Sequence, residues 1–107
     1  MSGLPRPGLN CEWSAVQDFM PPRPPRLRVR GVCTMPTPGY RLSLSRAQPQ
    51  GFNPEILLLH LHVEPPTDPV IQVLTPTPVE YEEEGDQRFI HVQIQPEGTL
   101  IPVEAVH

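Results

Sequence analysis

Residues 56–63, Ile56-Leu57-Leu58-Leu59-His60-Leu61-His62-Val63, decide the fold. No turn former interrupts them. Gly51-Phe52-Asn53-Pro54 stands before the run and Glu64-Pro65-Pro66 after it. An apolar run this short between breakers is a buried strand, since a helix needs a longer periodic segment. Alternation places Leu57, Leu59, Leu61 and Val63 on one wholly apolar face. Ile56, Leu58, His60 and His62 share the other, which passes from apolar to polar as a strand does when one end meets solvent.

The segments around this strand repeat its period. In Arg26–Thr34, Leu27 and Val29 face one way and Arg26, Arg28 and Arg30 the other, with a bulge expected at Gly31. Pro38-Gly39 suits the centre of a type II turn into a strand whose inner face is Tyr40, Leu42 and Leu44. Val70–Thr75 reads as a fourth strand and Val79–Glu84 as a charged edge strand. Arg88–Gln95 is expected to turn Ile90, Val92 and Ile94 inward and Phe89, His91 and Gln93 outward. Thr99–Val106 closes the chain as a strand whose Pro102 suggests an edge. Six to seven short strands with regular turn signals predict an all-β domain, a small antiparallel sandwich or partly open barrel. Helical spacing of Trp13, Val16 and Met20, with Asn10 as cap, predicts a short helical turn over residues 10–20. Residues 1–25 then form a tail ending in the polyproline connector Pro21-Pro22-Arg23-Pro24-Pro25, and the β domain covers 26–107.

Composition sets limits. The 107 residues suffice for one core, and 17 prolines oppose long helices. Net charge is −4, unevenly spread: residues 1–46 hold seven arginines against Glu12 and Asp18, and the remainder holds Arg88 against ten acids. An acidic total argues against a general nucleic-acid binder. No apolar run reaches the length of a membrane span. MSGLPRPGLN lacks the apolar centre of a signal peptide, so the chain as written reads as cytoplasmic, or as exported if a signal has been removed. A lone pair of cysteines, Cys11 and Cys33, reads in that setting as two reduced thiols.

The chain shows no nucleophile elbow, phosphate-binding glycine loop or cysteine–histidine signature. His60 and His62, at i and i+2 on one face, could share a metal with His91 as third ligand. This spacing is similar to the H-x-H of cupins and implies, as the alternative function, a small metal-dependent β-barrel enzyme. Glu64 follows His62 too closely for the cupin glutamate, and the flanking glycines do not match. The preferred expectation is therefore no metal and no cofactor.

Arg26, Arg28 and Arg30 recur every second residue, and so do Glu80, Glu82 and Glu84. If the two strands are neighbours the sets form a cross-strand ladder; if not, they are stripes suited to a partner. Arginine and aromatic side chains carry much of the binding energy at interfaces. Arg26, Arg28, Arg30 and an outward Phe89 are thus the expected contacts for a protein partner.

Thr37-Pro38-Gly39-Tyr40-Arg41-Leu42-Ser43-Leu44, an apolar strand, a proline turn and Gln72-Val73-Leu74-Thr75-Pro76 together resemble the small bacterial PrcB-like domain, named for a subunit of a bacterial protease complex. The likeness covers residues 34–81. Pro38 replaces a glycine of that pattern, and its lipoprotein-type export signal is missing. The resemblance implies a non-enzymatic accessory or interaction module and supplies no catalytic residue.

Overall fold

The structure is a computed structural model and describes residues 10–68 and 71–107. Among the described residues seven strands are present: β1 (Asn10–Asp18), β2 (Arg26–Met35), β3 (Arg41–Arg46), β4 (Ile56–Glu64), β5 (Thr75–Glu84), β6 (His91–Gln95) and β7 (Thr99–Val106). They form one sheet in the order β3-β4-β6-β7-β1-β2-β5, curled into a nearly closed barrel. The β1–β7 and β4–β6 pairings are parallel, so the sheet is mixed rather than antiparallel throughout. Among the described residues no helix is long and apolar enough to cross a membrane.

The founding strand behaves as its pattern requires. Leu57 and Leu59 are fully buried and Leu61 nearly so, joined in the core by Val92 and Ile94 of β6 and Leu27 and Val29 of β2. Val63 is exposed, because the core ends two residues earlier, at Leu61. Gly39 has φ of +95°, the left-handed geometry that the third position of a type II turn demands.

Several expectations are overturned. Residues 10–18 are not a helical turn in a tail; they are β1, hydrogen-bonded between β7 and β2. Cys11, Trp13, Ala15 and Gln17 alternate with Asn10, Glu12, Ser14, Val16 and Asp18. The inward set ends in an amide and the outward set holds a valine, which blurs the period-two signal and leaves Trp13 and Val16 on opposite faces. The β domain therefore includes residue 10 onward; residues 1–9 lie outside the described residues. Gly31 makes no bulge. Its register with Trp13 on β1 and Val79 on β5 is continuous, and it is glycine because a Cβ there would overlap the six-membered ring of Trp13. Cys11 and Cys33 are direct cross-strand partners joined in a disulfide, not separate thiols.

Residues 71–74 lie outside any strand, with Ile71 and Leu74 exposed; Val70 lies outside the described residues. β5 starts instead at Thr75 and runs through Pro76 and Pro78. It is an edge strand, so prolines fit where the missing N–H faces away from β2. Pro102 is not at an edge. It pairs with His91 of β6 where that pairing ends, and the pairing of β7 with β1 begins at the next residue, Val103. Proline is accommodated at the point where β7 changes partner.

Phe89 and Ile90 exchange their expected places: Phe89 is 5% exposed and Ile90 43%. β6 begins only at His91, so the alternation does not reach back to them. The buried Gln17 explains the change of phase. Its Oε1 accepts the Phe89 amide at 3.0 Å and its Nε2 donates to the Gln87 carbonyl at 2.8 Å. Phe89 is thereby drawn into the core.

Candidate functional site

The outer face of β1, β2 and β5 carries the densest charge. β2 and β5 are neighbours in a register that places Arg26 opposite Glu84, Arg28 opposite Glu82 and Arg30 opposite Glu80. The ladder is real: Arg26 Nη2 meets Glu84 at 2.9 Å, Arg28 Nε meets Glu82 at 2.9 Å and Arg30 Nε meets Glu80 at 3.1 Å. Glu84 holds the Arg26 guanidinium above its ordinary pKa, chiefly through the hydrogen bond. All these side chains are well exposed, so each rung contributes at most about 1 kcal/mol.

The two halves of the ladder differ in which nitrogens they use. Arg26 pairs through both terminal nitrogens, with Glu84 and more distantly with Glu82. Arg28 and Arg30 pair through Nε. Their Nη1 and Nη2 groups, with four N–H donors on each residue, make no hydrogen bond among the described residues.

Beside these ends runs a groove of about 310 Å³. Ser14 and Val16 of β1 and the three arginines of β2 form its floor, and Met20, Arg23 and Pro24 of the β1–β2 connector form its wall. The connector is set at its start by Asp18, whose Oδ1 accepts the Met20 amide at 2.9 Å. Asp18 is the one acid lining the groove, against four arginines. Arg23 makes no ion pair among the described residues. Sequence reasoning found Arg26, Arg28 and Arg30 but missed Val16, Met20 and Arg23, whose role depends on a connector that folds back over a strand. Phe89 is no part of this face, since it is buried in the core.

The histidines do not converge. His60 and His62 lie together on the outer face of β4, ring centroids 4.5 Å apart, with His62 Nε2 2.8 Å from Ser45 Oγ. His60 pairs with Gln95 of β6, whereas His91 pairs with Ile56 at the other end of the same ladder. Four residues of strand separate the two, roughly 13 Å. Among the described residues no group of three or more His, Cys, Asp or Glu is placed to hold a metal ion.

A second polar cluster closes the barrel. β3 and β5 share no backbone ladder, and Arg46 spans the gap: its Nε and Nη2 donate to the Glu83 carboxylate at 3.0 and 2.8 Å. Tyr81 Oη donates to Glu83 Oε1 at 2.6 Å. The Arg46 hydrogen bonds hold Glu83 below the usual carboxylate range, and partial burial beside Glu83 pushes Tyr81 up to about 12. With the Glu83 carboxylate accepting from both Arg46 and Tyr81, this cluster is a clasp.

Comparison with protein-family models, with curated proteins and with solved structures gives no match for this chain.

Proposed function

We propose that this chain is a non-catalytic protein-interaction or accessory module whose contact surface is the groove between the β1–β2 connector and the outer face of β2. The observation that carries the reading is the pair of guanidinium groups, Arg28 and Arg30, fixed by Nε to the β5 acids while their terminal donors border a recess. Ion pairs used only for stability would not need a neighbouring recess with an apolar wall. Half-exposed Met20 adds a flexible, adaptable contact of the type enriched at binding surfaces. The resemblance of residues 34–81 to the PrcB-like domain points to the same class of activity.

The test is site-specific photo-crosslinking in the source cells, with the crosslinker at Met20 and, as control, at the fully exposed Phe52. The expected result is a discrete protein adduct from position 20 alone, lost when Arg23→Glu is added. Equal adducts from both positions, or none from position 20, would remove the groove as the contact surface.

A further inference from the structure

The groove has a chemistry that narrows what can occupy it. We infer that its occupant is an extended peptide segment of the pattern acid–apolar–acid, laid along β2 with its carboxylates on the terminal nitrogens of Arg28 and Arg30. This rests on the reading of the groove as an interaction surface and adds the class of partner.

Three observations carry it. The first is charge: among the described residues four arginines and one carboxylate line the recess, and although Arg26, Arg28 and Arg30 each meet a β5 glutamate, Arg23 has no ion pair there. The second is spacing. Arg28 and Arg30 are two residues apart on one strand face, about 6.6 Å, which is also the separation of alternate side chains on any extended peptide. The protein displays this match itself, since Glu80 and Glu82 of β5 meet the same two arginines from the other side. A carboxylate from a partner would complete the fork of each guanidinium, whose planar donor set suits a second oxygen pair. The third is the wall. If alternate side chains point down to the arginines, the intervening one points away from them, toward the connector, where Met20 and Pro24 offer apolar contact. Arg23, on that same wall and free of ion pairs among the described residues, is placed for one further carboxylate. Duplex or single-stranded nucleic acid fits less well, because its longer run of phosphates would have to pass Glu80, Glu82 and Glu84.

The experiment is an NMR titration of the isotopically labelled full chain with two capped peptides, Glu-Val-Glu-Val-Glu and its Gln-Val-Gln-Val-Gln counterpart, reading backbone amides and arginine Nε–H signals. The acidic peptide is expected to shift Ser14, Val16, Met20, Arg23, Arg28 and Arg30 in a saturable way, and to bind at least about tenfold more tightly than the glutamine peptide. Arg23→Gln and Arg30→Gln should each weaken it about fivefold, the scale of one exposed ion pair. Raising salt from about 50 to about 300 mM should weaken it further. Equal binding of the two peptides, no saturable shift in the groove, or tighter binding of a thymidine oligonucleotide would overturn the assignment. So would self-association in sedimentation that Arg30→Gln dissolves, which would make a second copy the occupant. If the Met20 crosslink forms while the acidic peptide does not bind, the occupant is wrong and the groove stands. If the crosslink fails while the peptide binds, the charge match is present without a cellular partner there.

Discussion

Replacing Glu83 with glutamine tests how the barrel is closed. Glu83 accepts two hydrogen bonds from Arg46 and one from Tyr81, and it is the only residue joining β3 to β5 through an ion pair among the described residues. A charge-assisted hydrogen bond contributes about 1.5–3 kcal/mol when buried. The Glu83 side chain is 19% exposed but Arg46 is 38% exposed, so the pair is screened and the full sum is not realised. Glutamine keeps one acceptor oxygen and its amide cannot accept the second Arg46 bond, which leaves a loss of about 2 kcal/mol. At roughly 4–8 °C per kcal/mol for a domain of this size, the melting temperature should fall by about 10 °C. The effect has a signature in pH. The folded Glu83 titrates below its ordinary value of 4.5, so its stabilisation is complete at neutral pH and is lost as pH falls from 4.5 through the folded value. The gap between wild type and Glu83→Gln should therefore close in acid. At the other limit Tyr81 is raised from 10.0 to about 12, so the stability it supplies is present below pH 10 and disappears as pH rises toward 12. Urea melts of both proteins across pH 3–7 and pH 9–12 measure this. A loss under about 0.3 kcal/mol at pH 7, or a gap that persists unchanged at pH 3, would mean that the clasp contributes little and that the barrel is held by its core alone.

Two further outcomes follow from the same structure. Leu59 is fully buried at the centre of β4, so Leu59→Ala should cost about 2–5 kcal/mol in urea melts, and a loss under about 0.5 kcal/mol would mean the wrong face was taken as the core. The Cys11–Cys33 bond closes a segment of 22 residues, so oxidised protein should weigh about 2 Da less than reduced protein, and Cys11→Ser/Cys33→Ser should lose about 2–4 kcal/mol; free thiols in protein matured under oxidising conditions would contradict the pairing.

How far the chain could be read before its structure depended on whether each strand kept strict alternation. Leu27 and Val29 of β2 and Leu57, Leu59 and Leu61 of β4 keep it and are inner, whereas the bulge expected at Gly31 and the inward place expected for Val63 are not found, and only the structure places Arg28 opposite Glu82. Leu57, Leu59, Leu61, Val92 and Ile94 were legible as core for the same reason. β1 is masked by one buried amide and one outward valine, and the same buried amide, Gln17, draws Phe89 inward against the alternation of its own segment. The second half of β5, Val79–Glu84, was legible as an edge strand, whereas its first half was hidden by Pro76 and Pro78, which forbid a central strand but are tolerated in an edge strand. The groove depends on a connector returning over β1, a long-range placement with no periodic signal. The clasp of Arg46 and Glu83 joins residues 37 apart whose meeting follows only from the curl of the whole sheet.

The change of partner along β7 fixes an order of events. Its first half pairs with β6 and its second with β1, so it is the seam between β3-β4-β6 and β1-β2-β5. During synthesis the two groups can each begin to pair as they emerge, but no backbone ladder joins one to the other until Thr99–Val106 has followed them. The arrangement has high contact order, and its nucleus cannot be local. A chain stopped before Thr99 would present β6 and β1 as two open edges, each a template for strands of other molecules. For this fold, the last strand made is also the one that removes the hazard.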